Sequence, residues 1–352
     1  MDLVTKLATE RTLQAEELKE LLLTEDEEQR TKLFRFAQQV TSLNFHNKIF
    51  IRGIVEFTNH CQRDCFYCGL RASNKNVSRY RMDKNEILVA CKKGYALGFR
   101  TFVLQGGEDH YYSDAVMCDL ISSIKHNHPD CAITLSLGER SYMSYKTMFE
   151  AGADRYLLRH ETADSLHYSR LHPPSYSLKN RMECLWNLKE IGYQVGTGFI
   201  VGAPYQVPEY LVDDLLFTKE LDPAMVGIGP FIPHKDTPFR HQESGAIEDT
   251  LRLIAILRLM LPRANIPSTT SLATLHPNGR QHGILAGANV VMLNLSPEEY
   301  RNRYTLYNKI EQTDSDPTND LRFLNAQMRG LGYQIAVDRG DYIPEEFAPA
   351  SK

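Results

Sequence analysis

The stretch Cys61-Gln62-Arg63-Asp64-Cys65-Phe66-Tyr67-Cys68 sets three thiols at the spacing C-x3-C-x2-C, with the aromatic Tyr67 just before the last. Cysteine thiolates hold iron–sulfur clusters. A four-iron cube held by three cysteines keeps one iron open to a small ligand, and Cys61, Cys65 and Cys68 read as such a set. Structural zinc is the rival reading, but it wants four closed ligands. The next histidine downstream, His110, lies far outside the usual ligand spacing, and His60, adjacent to Cys61, makes a cramped fourth ligand. A disulfide framework is not expected of a long chain with an odd number of cysteines.

The 352 residues are 42% hydrophobic and 24% charged, the balance of a soluble globular protein. That length suits one large α/β barrel with additions, or two smaller domains. A net charge of -4 gives no pull toward nucleic acid or an anionic membrane. The first thirty or so residues mix charges throughout, unlike a signal peptide, and no run of about eighteen apolar residues predicts a membrane span. Seven cysteines, three of them clustered, fit a reducing cytoplasm. Cys91, Cys118, Cys131 and Cys184 are scattered and read as small core residues.

Residues 1–48 read as a helical segment. Ala15, Leu18, Leu21 and Leu22 share one apolar stripe, and Leu33, Phe36, Ala37 and Val40 another. Thr24, ahead of an acidic run, reads as an N-cap. These helices are expected to cover one end of the domain that begins after residue 48. From Ile49 the pattern changes to a strand that runs directly into the cysteine loop. Further strands are predicted at 101–105, 132–137, 155–159, 194–201, 225–228, 266–270 and 289–292, with helices between them. Strand–helix alternation implies a parallel sheet. Eight such units over about 240 residues predict a complete (β/α)8 TIM-type barrel across residues 49–295, followed by a C-terminal extension, 296–352, packing on it. An open six-stranded partial barrel is the alternative. Gly98, Gly152, Gly192 and Gly287 each precede an apolar residue and a strand, the pattern of a left-handed helix stop.

In such a barrel the ligand site lies at the C-terminal strand ends, where the cysteine loop falls. Strand two ends in Gln105-Gly106-Gly107-Glu108. Alternation puts Thr134 and Ser136 on one face, and likewise Arg155, Leu157, Arg159 and Glu161. Ionisable groups on a barrel strand are costly unless paired or bound to a ligand. Arg159 and Glu161 lie toward the ligand end; Arg155, lower down, is either a ligand contact or a salt bridge in the barrel base.

Together, the three-thiol loop after strand one and the Gly-Gly-Glu after strand two resemble the radical S-adenosylmethionine (SAM) superfamily, in which the open iron is chelated by SAM's amino and carboxylate groups. The resemblance implies that Gly106, Gly107 and Glu108 offer a backbone carbonyl to SAM's amino group, since glycine has no Cβ to block the approach. Arg181 either reaches SAM's carboxylate or is a solvated helix charge. Gly198-Phe199-Ile200-Val201-Gly202 either makes room for an adenine, with Phe199 or Ile200 packing on it, or is a buried strand and turn. His234 either faces the cavity or is structural. Thr269 and Thr270 end strand seven with hydroxyls suited to an anionic ligand. Tyr304 and Tyr307 either close the cavity, from above or below, or simply pack.

Longer runs narrow the resemblance. Glu56-Phe57-Thr58-Asn59 ahead of the cysteines, Gly69-Leu70-Arg71 after them, Arg79-Tyr80-Arg81-Met82, Thr134-Leu135-Ser136-Leu137-Gly138-Glu139, the run from Ala151 to Thr162, and that from Met225 to His234 resemble the HydE family of [FeFe]-hydrogenase maturases, in the biotin synthase-like branch of the superfamily. The likeness spans about residues 49–310. It implies a complete barrel with an internal cavity and one [4Fe–4S] cluster on Cys61, Cys65 and Cys68. SAM would be held by Thr134, Ser136, Glu161 and Arg181, joined by Tyr67, Gly106, Gly107, Glu108, Phe199 and Ile200. Arg155, Arg159, Thr269, Thr270, Tyr304 and Tyr307 would line the substrate cavity and its anion sites, with Gln105, Arg159 and Tyr304 nearest the reacting atoms.

The implied activity is reductive cleavage of SAM to methionine and a 5′-deoxyadenosyl radical. The radical would act on a cysteine-bound iron dicarbonyl–cyanide complex from the partner maturase HydG, and the product would pass toward the scaffold HydF. Radical addition to sulfur and hydrogen abstraction both stay open. Some family members carry three further cysteines near the C-terminus for a second cluster. Here no cysteine follows Cys184, and the matching loop around Asp314 has none, so a single cluster is expected. Rival readings are a methylornithine synthase-like lysine mutase and, outside enzymes, an iron–sulfur electron carrier or cluster scaffold. Biotin synthase-like sulfur insertion needs a second cluster held by cysteines inside the barrel, and only Cys131 lies near a strand.

Overall fold

The computed structural model describes residues 1–308 and 316–344. Three helices come first: α1 (Leu3–Glu10), α2 (Ala15–Leu23) and α3 (Glu27–Phe45). Asp26, not Thr24, caps α3. Its carboxylate accepts from the N–H groups of Glu28 (2.9 Å) and Gln29 (3.3 Å) and adds negative charge at the positive end of the helix dipole.

Eight parallel strands form the barrel: β1 (Lys48–Thr58), β2 (Thr101–Gly106), β3 (Ala132–Ser136), β4 (Arg155–Leu157), β5 (Gln194–Thr197), β6 (Met225–Val226), β7 (Pro267–Ser268) and β8 (Val290–Asn294). They lie in the order β6-β5-β4-β3-β2-β1-β8-β7. Between β6 and β7 the ring is bridged at its lower end, where Met225 pairs with Asn265 and the Val226 N–H donates to the Asn265 carbonyl at 3.0 Å. The complete barrel is therefore the right reading, and the six-stranded alternative falls. Alternation along β1 sorts its residues as a barrel requires. Ile51, Val55 and Phe57 enter the apolar layer under the helices, while Arg52 lines a small cavity inside the barrel.

The outer helices are α4 (Lys84–Ala96), α5 (Asp114–Asn127), α6 (Tyr142–Glu150), α7 (Ser165–Leu171), α8 (Leu178–Ile191), α9 (Pro208–Leu221), α10 (Ile247–Met260), α11 (Thr270–Leu275), α12 (Gly279–Leu285), α13 (Glu298–Arg301) and α14 (Pro317–Gly330). Gly192 closes α8 at φ 107 and Gly287 follows α12 at φ 116, as the glycine stops predict. Among the described residues no helix is long and apolar enough to cross a membrane. Asp314, in the loop expected to match a second cluster site, lies outside the described residues.

Two expectations change. The N-terminal helices do not cap an end of the barrel; α2 packs on α9 and α3 on α10, bracing the outer ring. The base is instead closed by the C-terminal segment. A last strand, β9 (Gln334–Ala336), pairs in parallel with the start of β1, and the chain then turns under the barrel. There Asp341 meets Arg155 at 2.5 Å and Arg339 at 2.8 Å, Arg339 also meets Asp154 at 2.8 Å, and Asn265 donates to the Gly340 carbonyl. Arg155 further bonds Gln194, Thr101 and the Arg339 carbonyl, so its donors are taken up by protein.

Removing Asp341 would leave the 3%-exposed Arg155 without its carboxylate. Asp341→Ala is expected to cost roughly 2 kcal/mol in urea unfolding, less than a fully buried pair because Asp341 is itself one-third exposed. Burial works against the Asp341 carboxylate, but Arg155 and Arg339 outweigh it and hold its pKa below the ordinary value. The stabilisation should therefore be fully present above the unfolded carboxyl pKa of about 4. It should be lost as pH falls from there through the lower folded value, so that parent and variant converge in acid.

Candidate active site

The cysteine loop leaves β1 over the C-terminal ends of the strands. Its backbone is pinned from several sides: Gln62 N–H to the Glu108 carbonyl (2.9 Å), Phe66 N–H to Leu171 (2.9 Å) and Gly69 N–H to Leu306 (2.8 Å). Arg79 gathers the carbonyls of Asn59, Leu70 and Arg71, which flank the loop on both sides. Gly107 is needed because a Cβ there would lie 2.2 Å from the His60 carbonyl oxygen and 2.6 Å from the Cys61 Cβ. The glycine's room is thus taken by the cysteine loop itself.

Cys61, Cys65 and Cys68 are all free and partly buried. Burial pushes the Cys65 thiol up to about 12 and raises Cys61 and Cys68 as well. Three thiols that resist ionising alone are suited to a strongly positive partner, because coordination to a metal deprotonates a thiol outright. Among the described residues no three His, Cys, Asp or Glu side chains converge as they would on a single ion. The donor set fits an iron–sulfur cluster on three cysteines better than a closed zinc site.

Two arginines and two glutamates lock this loop to the barrel. Arg63, within the loop, bonds Glu108 at 2.6 Å and also Glu139; Arg181, on α8, bonds Glu139 at 2.7 Å. The Glu139 N–H donates to Glu108 at 2.9 Å. Gly138, at φ 76, makes this possible, since a Cβ there would fall within 2.5 Å of the Glu108 side chain. Glu108 is therefore engaged by protein groups, and Arg181 is buried rather than solvated.

Beside the loop, Arg159 and Glu161 form an ion pair at 3.0 Å. That contact joins Arg159 Nη2 to Glu161 Oε2 without hydrogen-bond alignment, and the buried Arg159 Nε has no partner. Such groups are costly unless a ligand completes them. Ser136 ends β3 level with Gln105. Thr134, one layer down, is 1% exposed, has an unpartnered hydroxyl, and faces the small interior cavity with Arg52, Arg155 and Met225. Gln105 lies beside the buried Tyr304 hydroxyl, and Tyr307, near Arg159, is pushed up to about 12 by burial. The Leu306 carbonyl bonds the cysteine loop, which puts both tyrosines at the upper end.

Phe199 and Thr270 lie away from the expected site. Phe199 is fully buried and its ring lies 5.7 Å from His160, in the main core rather than at an open site. Ile200 belongs to a separate cluster with Leu171 and Phe231, against which Phe66 and Tyr67 pack. Strand β7 ends at Ser268. Thr269 bonds Ser271 at 3.0 Å, and Thr270 opens α11 with its surface exposed. His234 is buried under Gly69.

Two residues escaped the sequence reading. Glu139 carried a signal, because Gly138-Glu139 after β3 repeats the pairing of Gly107-Glu108 after β2. Arg52 shares the signal used for Arg155, an ionisable side chain at an inward position of a barrel strand. It is 1% exposed, its Nη1 lies 2.6 Å from the Met225 sulfur, and Nε and Nη2 have no partner.

The barrel and its loop define a class, and comparison with known proteins agrees. Residues 55–218 match the family model of the Radical SAM superfamily, and 228–330 that of the Biotin and Thiamin Synthesis associated domain. The crystal structure of methylornithine synthase (PylB) superposes with a TM-score of 0.83 at 26% identity, covering 95% of this chain and 97% of that one. The 3-methylornithine synthase of Methanosarcina acetivorans is 29% identical over 92% of this chain and 91% of its own. These matches describe an enzyme of the radical SAM type. The [FeFe] hydrogenase maturase subunit HydE of Thermotoga maritima is 46% identical over 297 residues, 84% of each chain. The chain belongs to the HydE family.

An unpaired buried cation destabilises the protein that carries it. Arg52→Met is therefore expected to leave unfolding stability unchanged or raise it by roughly 1–3 kcal/mol in the cluster-free protein. A loss of stability would contradict the unpaired state of this guanidinium.

Proposed function

We propose that the chain is a single-cluster radical SAM enzyme acting on an anionic, cysteine-bound iron carbonyl–cyanide precursor in [FeFe]-hydrogenase maturation. The observation that carries this is the meeting, at one end of the barrel, of three free thiols and the unsaturated Arg159–Glu161 pair. The 46% identity to a HydE subunit selects the pathway.

Cys61, Cys65 and Cys68 would hold a [4Fe–4S] cluster. With SAM bound, the cluster supplies one-electron cleavage of the sulfonium and a 5′-deoxyadenosyl radical. The protein's part is binding, orientation and exclusion of water. Arg181, fixed by Glu139 and by the Arg159 carbonyl, has its Nη2 left to present toward SAM's carboxylate. Glu161 and Ser136 offer oxygens to its polar groups, and Ile200 and Tyr67 offer an apolar wall. Gly106 and Gly107 keep backbone close to the loop, while Glu108 holds Arg63 in place. Arg159 supplies a cation to an anionic substrate, as guanidinium suits, with Thr269 as a neutral donor at the same end of the barrel. Gln105 and Tyr304 close the site above the substrate, and Tyr307 packs beside them. Arg155 is left out of the contact set because Asp341, Gln194 and Thr101 already use its donors. HydG as supplier, HydF as recipient and a cytoplasmic setting complete the reading. A lysine mutase like methylornithine synthase is the second reading, favoured by that enzyme's match over almost the whole chain.

The test is anaerobic reconstitution with iron and sulfide, then dithionite and SAM, with 5′-deoxyadenosine measured beside a Cys65→Ala control. Cysteine-dependent 5′-deoxyadenosine is expected, rising with the cysteine–iron carbonyl complex and not with lysine. Stimulation by lysine instead would favour the mutase. No product from a loaded, reducible cluster would sink both enzymes and leave a carrier or scaffold.

A further inference from the structure

Helix α7 and the residues after it form a clasp over the cysteine loop. The Leu171 carbonyl takes the Phe66 N–H, and the Tyr176 hydroxyl takes the Asp64 N–H at 2.7 Å. Between them sits His172, fully buried. Its ring stacks on Tyr168 with centroids 4.0 Å apart and meets the Tyr67 ring edge-on at 5.4 Å. Its two nitrogens have different neighbours: Nδ1 lies 3.0 Å from the Tyr168 carbonyl oxygen, and Nε2 lies 3.2 Å from the Tyr67 hydroxyl.

A carbonyl oxygen can only accept, so Nδ1 carries the ring proton. Burial, despite the Tyr168 carbonyl, lowers the His172 pKa to about 3, and Arg181 and Arg63 add to the effect, so the ring is neutral near pH 7. Nε2 is then a bare acceptor. The Tyr67 hydroxyl has one proton and two neighbours able to take it, His172 Nε2 and the Cys65 sulfur, which also lies within its reach. Nitrogen with an in-plane lone pair is the stronger acceptor of the two.

We propose that His172 is a positioning residue that draws the Tyr67 hydroxyl proton away from the Cys65 sulfur. The proposal rests on the reading that Cys65 holds a cluster. Hydrogen bonds to the sulfurs help to set a cluster's reduction potential, and a donor there raises it by stabilising the more negative, reduced form. Withholding the Tyr67 proton keeps the potential low, in the direction that reduction of a sulfonium demands. Tyr67 would still wall the site, but as an oriented ring and not as a donor to the cluster.

The experiment is an EPR-monitored redox titration, without SAM, of reconstituted parent, His172→Phe, Tyr67→Phe and the double variant, with iron and sulfide counted in each. In His172→Phe the freed hydroxyl turns to Cys65, and the midpoint is expected to move to more positive potential. Tyr67→Phe is expected to titrate with the parent, and in the double variant the His172→Phe shift should vanish. An unchanged midpoint in loaded His172→Phe, or a shift that survives in the double variant, would overturn the proposal. Should His172→Phe fail to fold, Tyr67→Phe decides alone, because a midpoint more negative than the parent's would mean the proton already sat on Cys65. A parent that takes up no cluster at all defeats the cluster reading and this proposal together; a loaded parent with the wrong variant pattern defeats only this one.

Discussion

Arg63 is the residue through which the cysteine loop becomes part of the barrel. It lies between two of the three thiols and donates to Glu108 after β2 and Glu139 after β3, while Glu139 is shared with Arg181 on α8. The four charges alternate in sign and cancel. Each arginine and each glutamate is mostly buried, so none is tolerable without its neighbours. The lattice therefore behaves as a unit: it fixes the loop's distance from the strand ends and aims Arg181 at the space beside the thiols. Gly107 and Gly138 are the backbone conditions for that closeness, one admitting the loop and the other the Glu108 side chain.

Saturation of the buried charges differs along the barrel axis. At the base, Arg155 and Arg339 are satisfied by Asp341, Asp154 and backbone carbonyls, and the C-terminal segment is drawn under the strands. At the upper end Arg159 and Glu161 face each other with atoms left over, and inside the barrel Arg52 has only a thioether. A fold gains nothing from leaving polar groups dry and unpaired. The base is thus closed by paired charges, whereas Arg52, inside the barrel, and Arg159 Nε, at the upper end, keep unused donors.

Much of this was legible because it is local. The thiol spacing, the glycines after β2 and the Arg159–Glu161 alternation all act within a few residues. What stayed hidden depends on distant partners or on a break in periodicity. Helix α7 is only seven residues long and is held by the Asp164 cap and the His172–Tyr168 stack, so its sequence carries little helical signal. Strand β9 exists because it meets β1 across nearly the whole chain. Phe199 was misdirected because β5 stops at Thr197 and Ile200–Val201 pairs afresh with Gly229–Pro230, which resets which side chains face inward.

The central claim is that three cysteines hold a cluster whose free site faces SAM, under the aim of Arg181. EPR of the reduced, reconstituted enzyme tests it most directly, recorded with and without SAM. The account predicts a cluster signal that changes shape when SAM is added, disappears in Cys65→Ala, and loses its response to SAM in Arg181→Met while the cluster itself remains. A cluster signal indifferent to SAM, or one that persists without Cys65, would contradict it.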